Sequence, residues 1–132
     1  MSRVNLARYR IEKAKEILVE AEDNLKQNHY GVAVNRSYYA MFTSARALLA
    51  LKELDSSKHS GVIAFFNQHI VKTNLFPKEI SRFLGKAKDM REDADYGDFV
   101  EITEENAQIQ LERAKKFVNE AESVISKIIT EG

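Results

Sequence analysis

The sequence predicts an all-α protein, an up-and-down bundle of four long helices with one shorter helix in third place. Three observations carry this expectation. Proline occurs once and glycine five times in 132 residues, while the good helix formers Ala, Leu, Glu and Lys are abundant. Long stretches repeat apolar residues at alternating spacings of three and four, the period of a helix face. Between them lie short polar segments that hold the turn and capping residues.

The first stretch places Val4, Ala7, Ile11, Ala14, Leu18, Ala21 and Leu25 on one seam. Every second member is alanine, so a partner helix can approach closely. Asn28, His29 and Gly31 then interrupt the period and mark a turn, with His29 expected to be exposed.

Tyr30 to Leu51 follows as the central helix. Val34, Tyr38, Met41, Ala45 and Leu49 form one face, widened by Phe42 and Leu48. The reverse face carries Ala33, Arg36, Ala40, Thr43 and Ala47, where a surface helix would carry Lys and Glu. A helix packed on most sides is therefore expected, and it must find partners for Asn35, Arg36 and its tyrosine hydroxyls. A packed arginine requires an acid or a polar cleft, so Arg36 is expected at least half buried and within hydrogen-bond reach of a carboxylate or tyrosine hydroxyl, with Asp95 or Tyr96 as the leading choice.

After the polar segment KELDSSKHSG, Ser56 or Ser57 can cap a third helix carrying His59, Val62, Ile63, Phe66, His69 and Ile70. His59 falls on the Val62 and Phe66 side, either as a packed histidine with one hydrogen bond or as the wall of a functional cleft. His69 stands near the helix end, where the dipole favours it. Phe76-Pro77 opens the fourth helix, with Ile80, Phe83, Leu84, Ala87 and Met90 on its apolar face and Arg91 and Asp95 continuing that face. Gly85 either weakens this helix or marks a close packing contact. The piece from Arg91 to Thr103 breaks the period, and two readings stand: a solvated acidic loop, or a fold-back in which Arg91, Asp95 and Tyr96 meet Arg36, Asn35 and Tyr39. Thr103 caps the last helix, whose seam is Ala107, Leu111, Ala114, Val118, Ala121, Ile125 and Ile128. The first and last seams match, so these helices are expected to pack on each other and on the central one.

The length suits one domain over residues 1–132. Lys plus Arg and Asp plus Glu number 20 each, which argues against a polyanion binder held by net charge but permits a local basic patch. The absence of cysteine removes disulfides, thiol catalysis and cysteine-based zinc sites. No apolar run approaches a membrane span and no secretory signal opens the chain, so a soluble, cytoplasmic protein without membrane attachment is expected. Neither Glu-x-x-His nor His-Glu-x-x-His occurs, and glycine spacing offers no phosphate loop, so neither metal nor cofactor is expected. Arg36, Arg46, Lys52 and Lys58 can form a modest basic stripe, but no helix-turn-recognition-helix pattern supports DNA as ligand.

The runs AVNRSYYAMF at Ala33 to Phe42, ARALL at Ala45 to Leu49, KHSG at Lys58 to Gly61, FFN around Phe66, MREDADY at Met90 to Tyr96 and AKKFV at Ala114 to Val118 together resemble the HEPN domain superfamily, in its UPF0332 branch. The likeness covers nearly the whole chain. It implies a homodimeric helical bundle with a cleft between subunits, and relatives that are metal-independent endoribonuclease toxins using an Arg followed after four to six residues by His. That dyad is absent here: no arginine is followed by histidine at that spacing. The resemblance also implies pairing with a minimal nucleotidyltransferase, and nucleotide or RNA binding. Without the dyad, the leading expectation is a binding and interaction protein of a toxin-antitoxin-like system, holding its ligand with Asn35, Arg36, Tyr39, Arg46, His59, Arg91, Asp95 and Tyr96. The alternative is a metal-independent endoribonuclease toxin with a non-standard site, in which His59 moves the proton and Arg36 or Arg91 steadies the phosphate.

Overall fold

A computed structural model describes residues 2–96 and 101–131, with the side chain of Tyr96 outside the description. The chain is all-α. Helix α1 spans Arg3–Lys26, α2 Tyr30–Leu51, α3 His59–Phe66, α4 Lys78–Tyr96 and α5 Glu104–Glu131. A π-helical turn, Asn67–Val71, prolongs α3.

Local chemistry sets the helix ends. Ser2 caps α1, its Oγ accepting the Asn5 N–H at 3.1 Å, and Thr103 does the same for α5 through the Asn106 N–H. Asn28, Glu53 and Asn74 adopt left-handed backbone, each just past a helical segment, where Asn tolerates that conformation best. Gly61 is required by space: a Cβ there would collide with the Ser56 side chain folded over the start of α3. Around Gly85, by contrast, a Cβ would meet nothing within 4 Å, so this glycine serves no close contact.

Helix α2 is the axis of the bundle. It packs on α1, α5, α4 and α3, and its Ala33, Ala40, Ala45 and Ala47 are wholly buried together with Tyr38, Met41, Leu48 and Leu49. Alanine lets the neighbouring backbones close in on it, as the reverse face of the sequence implied. Helices α1 and α5 pack on each other and on α2, with Lys15 and Glu122 paired across the joint and Ala7, Ala14, Ala114 and Ala121 all fully buried. A cluster of Phe66, Phe76 and Phe117, with centroids 4.9–5.6 Å apart, closes the core where the third, fourth and fifth helices converge. In α1 the buried residue at the middle of the seam is Ile17, with Leu18 half-buried.

Among the described residues no helix is long and apolar enough to cross a membrane. The segment expected to break after Arg91 instead stays helical to Tyr96, so Arg91 and Asp95 lie one turn apart on α4; residues 97–100 of the acidic piece lie outside the described residues.

Candidate functional site

One stripe of α2 is left partly open between α1 on one side and α3 and α4 on the other. Its middle is Tyr39, half-buried with Asn35, Arg36, Thr43 and Arg46 at helical spacing along the same face. Three charged or titratable groups from three helices converge on its ring. The Arg36 guanidinium carbon is 5.1 Å from the ring centroid, that of Arg91 from α4 is 5.5 Å away, and the His59 ring from the start of α3 is centred 5.7 Å away. Arg91 Nη2 also donates to the Tyr39 hydroxyl at 3.3 Å.

Each member is held from behind. His59 stacks on Phe42 at 4.2 Å, and its Nδ1 lies 3.0 Å from the hydroxyl of Tyr38, whose side chain is fully buried. Arg91 Nε is 3.1 Å from Asp95 Oδ2 but directs its N–H elsewhere, so the two form an ion pair without an aligned hydrogen bond at that nitrogen. Arg36 donates from Nε and Nη2 to Asn35 Oδ1, at 3.2 and 2.9 Å, and from Nη1 to Glu20 of α1 at 3.4 Å. Asn35 in turn reaches Asp95 Oδ2 at 3.5 Å, at the limit of a hydrogen bond. A polar chain thus runs from Glu20 through Arg36, Asn35 and Asp95 to Arg91.

The expected partner of Arg36 is corrected by this arrangement. Its carboxylate is Glu20, not Asp95, because the reverse face of α2 turns Arg36 toward α1, its most extensively packed neighbour, whereas Asp95 is taken by Arg91 on its own helix. Arg36 is more than half buried, as expected, its side chain keeping 31% of its exposure. The expected contact of Tyr96 concerns a side chain outside the described residues.

Arg46 stands apart from this cluster. Its Nη2 donates to both carboxylate oxygens of Asp55, at 3.0 and 3.3 Å, and Arg10 of α1 brings a second guanidinium to the same carboxylate at 3.5 Å while donating to the Arg46 carbonyl at 3.1 Å. Sequence reading named neither Arg10, Asp55 nor Glu20. The signal that could have found Asp55 is that it is the last acid in the polar segment leading into α3, where its carboxylate also accepts the Ser56 N–H at 2.8 Å.

The electrostatics follow from burial and from these neighbours. Burial lowers the His59 pKa below its ordinary value, and the positive charges of Arg91, Lys88 and Arg46 push it the same way, so the imidazole is neutral at pH 7. Burial, helped by Tyr39, raises the Tyr38 hydroxyl well above its ordinary value, so it remains protonated beside His59. Burial would raise the Asp55 carboxyl, but the Arg46 and Ser56 hydrogen bonds and the charges of Arg46 and Arg10 outweigh it and hold the group below the usual carboxylate value. Among the described residues no group of three or more His, Asp or Glu side chains is placed to hold a metal ion. Clefts of about 380 and 440 Å³ lie elsewhere, one lined by Ile11, Glu122 and Ile125 and the other by Phe76, Lys78 and Val124, and neither includes a residue of the Tyr39 cluster.

Chemically, the cluster offers one neutral imidazole, two cations and hydroxyl donors on a partly open surface. Comparison with known proteins agrees in placing the whole bundle within one group of sequences. A family model described as the HEPN domain matches residues 7–124. A UPF0332 protein of Thermotoga maritima is 40% identical over 116 residues, covering 88% of each chain. A protein of Methanocaldococcus jannaschii named as a candidate toxin is 37% identical over 123 residues, 92% of this chain and 84% of its own, and a second so named in that organism is 35% identical over 119 residues, 90% of this chain and 88% of its own.

Proposed function

The chain belongs to the HEPN domain family, in its UPF0332 branch, and from that premise we propose that it is a toxin-type endoribonuclease acting without a metal ion, with Arg36, Tyr39, His59 and Arg91 as its site. One observation carries the reading: Arg36, Arg91 and His59, from three different helices, all stand within 5.1–5.7 Å of the Tyr39 ring centroid. The histidine that the usual Arg-to-His spacing would supply along one helix is here supplied across helices. This arrangement supports cleavage over the purely binding role that the missing dyad suggested from sequence. The names of the relatives in Methanocaldococcus jannaschii support the same direction.

Cleavage requires the 2′-hydroxyl proton of RNA to be removed while the 2′-oxygen attacks phosphorus and the bond to the 5′-oxygen breaks. The products are a 2′,3′-cyclic phosphate and a 5′-hydroxyl, the 5′-oxygen taking its proton from water. His59 is the base. The 3.0 Å contact between Nδ1 and the Tyr38 oxygen accommodates the tautomer with the proton on Nδ1, the one this role requires because it leaves Nε2 free, and the depressed pKa keeps the ring neutral at neutral pH. Arg36 and Arg91 face the charge that develops on the phosphate, and as arginines they keep their own charge throughout.

Two copies facing each other across the open α2 stripe, the homodimer that the resemblance implies, form part of the proposal; a monomer by sedimentation at micromolar concentration contradicts that part. The reading as partner of a minimal nucleotidyltransferase, or as a nucleotide-binding module, rests on the resemblance alone, whereas cleavage has the side-chain cluster as well. The test is incubation of purified protein with a labelled single-stranded RNA in the presence of a chelator. Cyclic-phosphate products are expected, with cleavage lost in His59→Ala and reduced at least a hundredfold in Arg91→Gln while the helical melt persists. RNA that stays intact with the wild type, or is cut equally by His59→Ala, defeats the reading and restores the binding role.

A further inference from the structure

Seven residues beyond Tyr39, two turns and about 10 Å along the same face of α2, stands Arg46. Its setting is unlike that of a simple structural ion pair. Asp55 is one carboxylate shared by two guanidiniums, those of Arg46 and Arg10, so the group carries a surplus positive charge. A lock between α1, α2 and the segment before α3 needs only one of them. Arg46 Nε, moreover, finds no acceptor among the described residues, and about a third of the side chain is open, at 34% exposure. The surplus charge lies on the face that also holds the Tyr39 cluster, so an extended polyanion crossing the cluster along α2 would pass directly over it.

We propose that Arg46 and Arg10 form a second phosphate station for single-stranded RNA, gripping the strand beyond the scissile position, with Asp55 as the carboxylate that holds both guanidiniums in place between encounters. The inference rests on the cleavage reading for its substrate, but its readout is binding. Arg46 is a binding residue in this account, since it does not touch the reacting atoms. RNA is favoured over an acidic protein surface because the partly open ring of Tyr39 lies between Arg36 and Arg46 on one face of α2, with His59 of α3 beside it, a stacking surface between two cations that suits a base flanked by phosphates.

The substitution that separates station from lock is Asp55→Asn. Removing the shared carboxylate loosens the structure but frees both arginines, so this variant should bind a fluorescent single-stranded 12-nucleotide RNA several-fold more tightly by anisotropy while melting earlier. Arg46→Gln should weaken the same binding five- to tenfold and flatten the plot of log affinity against log salt by about 0.7, the loss of one phosphate contact on a single strand. A dinucleotide, too short to span both stations, should bind wild type and Arg46→Gln alike. Binding lost with Arg46→Gln in a protein that cuts no RNA would sink the cleavage reading and keep the station. Cleavage with unchanged affinity and salt slope in Arg46→Gln would do the reverse. Weaker binding in Asp55→Asn, no RNA binding by the wild type, or displacement of the RNA by polyglutamate at equal charge concentration would overturn the proposal.

Discussion

Tyr39 brings together groups that would otherwise avoid one another. Arg36 and Arg91 carry like charges, yet both turn their guanidinium toward the negative face or hydroxyl of one ring, each contact contributing about 0.5–1 kcal/mol at a partly open position. Asp95 and Glu20 complete the compensation from outside, one on each arginine. His59 experiences the same cations as a cost. After burial, Arg91 is the largest influence lowering its pKa, because a positive imidazole would face a positive guanidinium. Arg91→Gln is therefore expected to raise the His59 pKa toward, but not up to, its ordinary value, with burial still holding it down. An NMR titration of the imidazole in both proteins measures this, and an unchanged or lower value in the variant contradicts the electrostatic account. Much of this site could be read from residue types: Arg36, Asn35, Tyr39, His59, Arg91 and Asp95 all attract notice as polar groups on packed faces. Part of their pairing could be read as well, since the fold-back reading brought Arg91 to Tyr39 and Asp95 to Asn35, but the partner of Arg36 could not. Whether Arg36 meets Glu20 or Asp95 depends on which neighbour α2 turns it toward, a rotation of helices that no spacing within one helix encodes.

The alternation of alanine with larger residues in α1 and α5 has a direct structural meaning at the scale of the element. Ala14 and Ala114 are wholly buried in helices that pack on each other and on α2, so three more carbons at either must displace neighbours. Ala14→Leu or Ala114→Leu is expected to cost about 1–3 kcal/mol by overpacking, measured as a shift in denaturant midpoint; no loss in either would contradict the close seam. Gly85 leads to the opposite expectation. It lies within α4 with open space beside it and an ordinary helical backbone, so Gly85→Ala should stabilise the protein by roughly 0.5–1 kcal/mol through helix propensity. Existence and order of the helices were legible because each carries a clear period, and α1 and α5 begin on capping hydroxyls; α3 instead begins after Lys58 with no side-chain cap, so the expected cap at Ser56 or Ser57 is corrected. The finer faces were not. A strict three-and-four count follows one line along a helix, but α5 touches α1, α2 and α4 at once and therefore also buries Gln110, Phe117 and Val124, which lie off that line. The π-helical turn at Asn67–Val71 left no mark on the period at all.

With as many acidic as basic side chains, the molecule has no large net charge to drive its unfolding, so its response to pH is set by particular groups whose proton affinity changes on folding. Two such groups, His59 and Asp55, contact the α2 stripe from α3 and the segment before it and act in separate windows. The folded pKa of His59 is below its ordinary value near 6.5, so as pH falls past that value the unfolded chain takes up a proton that the folded imidazole refuses. Stability therefore declines below about pH 6.5 and levels off only when the folded histidine also protonates. Asp55 behaves as a stabilised carboxylate: its contribution is complete above the unfolded carboxylate value of 3.8 and is lost as pH falls through the lower folded value. From pH 8 downward, the denaturant midpoint is thus expected to hold level, fall once on entering the histidine window, and fall again in strong acid. His59→Gln should remove the first descent and leave the second, whereas Asp55→Asn should lower the midpoint at neutral pH and remove its share of the second. Equilibrium unfolding of the three proteins across this range, followed by helical circular dichroism, decides the matter: a His59→Gln curve that runs parallel to the wild type between pH 5 and 7 would mean that the imidazole titrates alike in both states, and the neutral base assigned to the site would lose its physical ground.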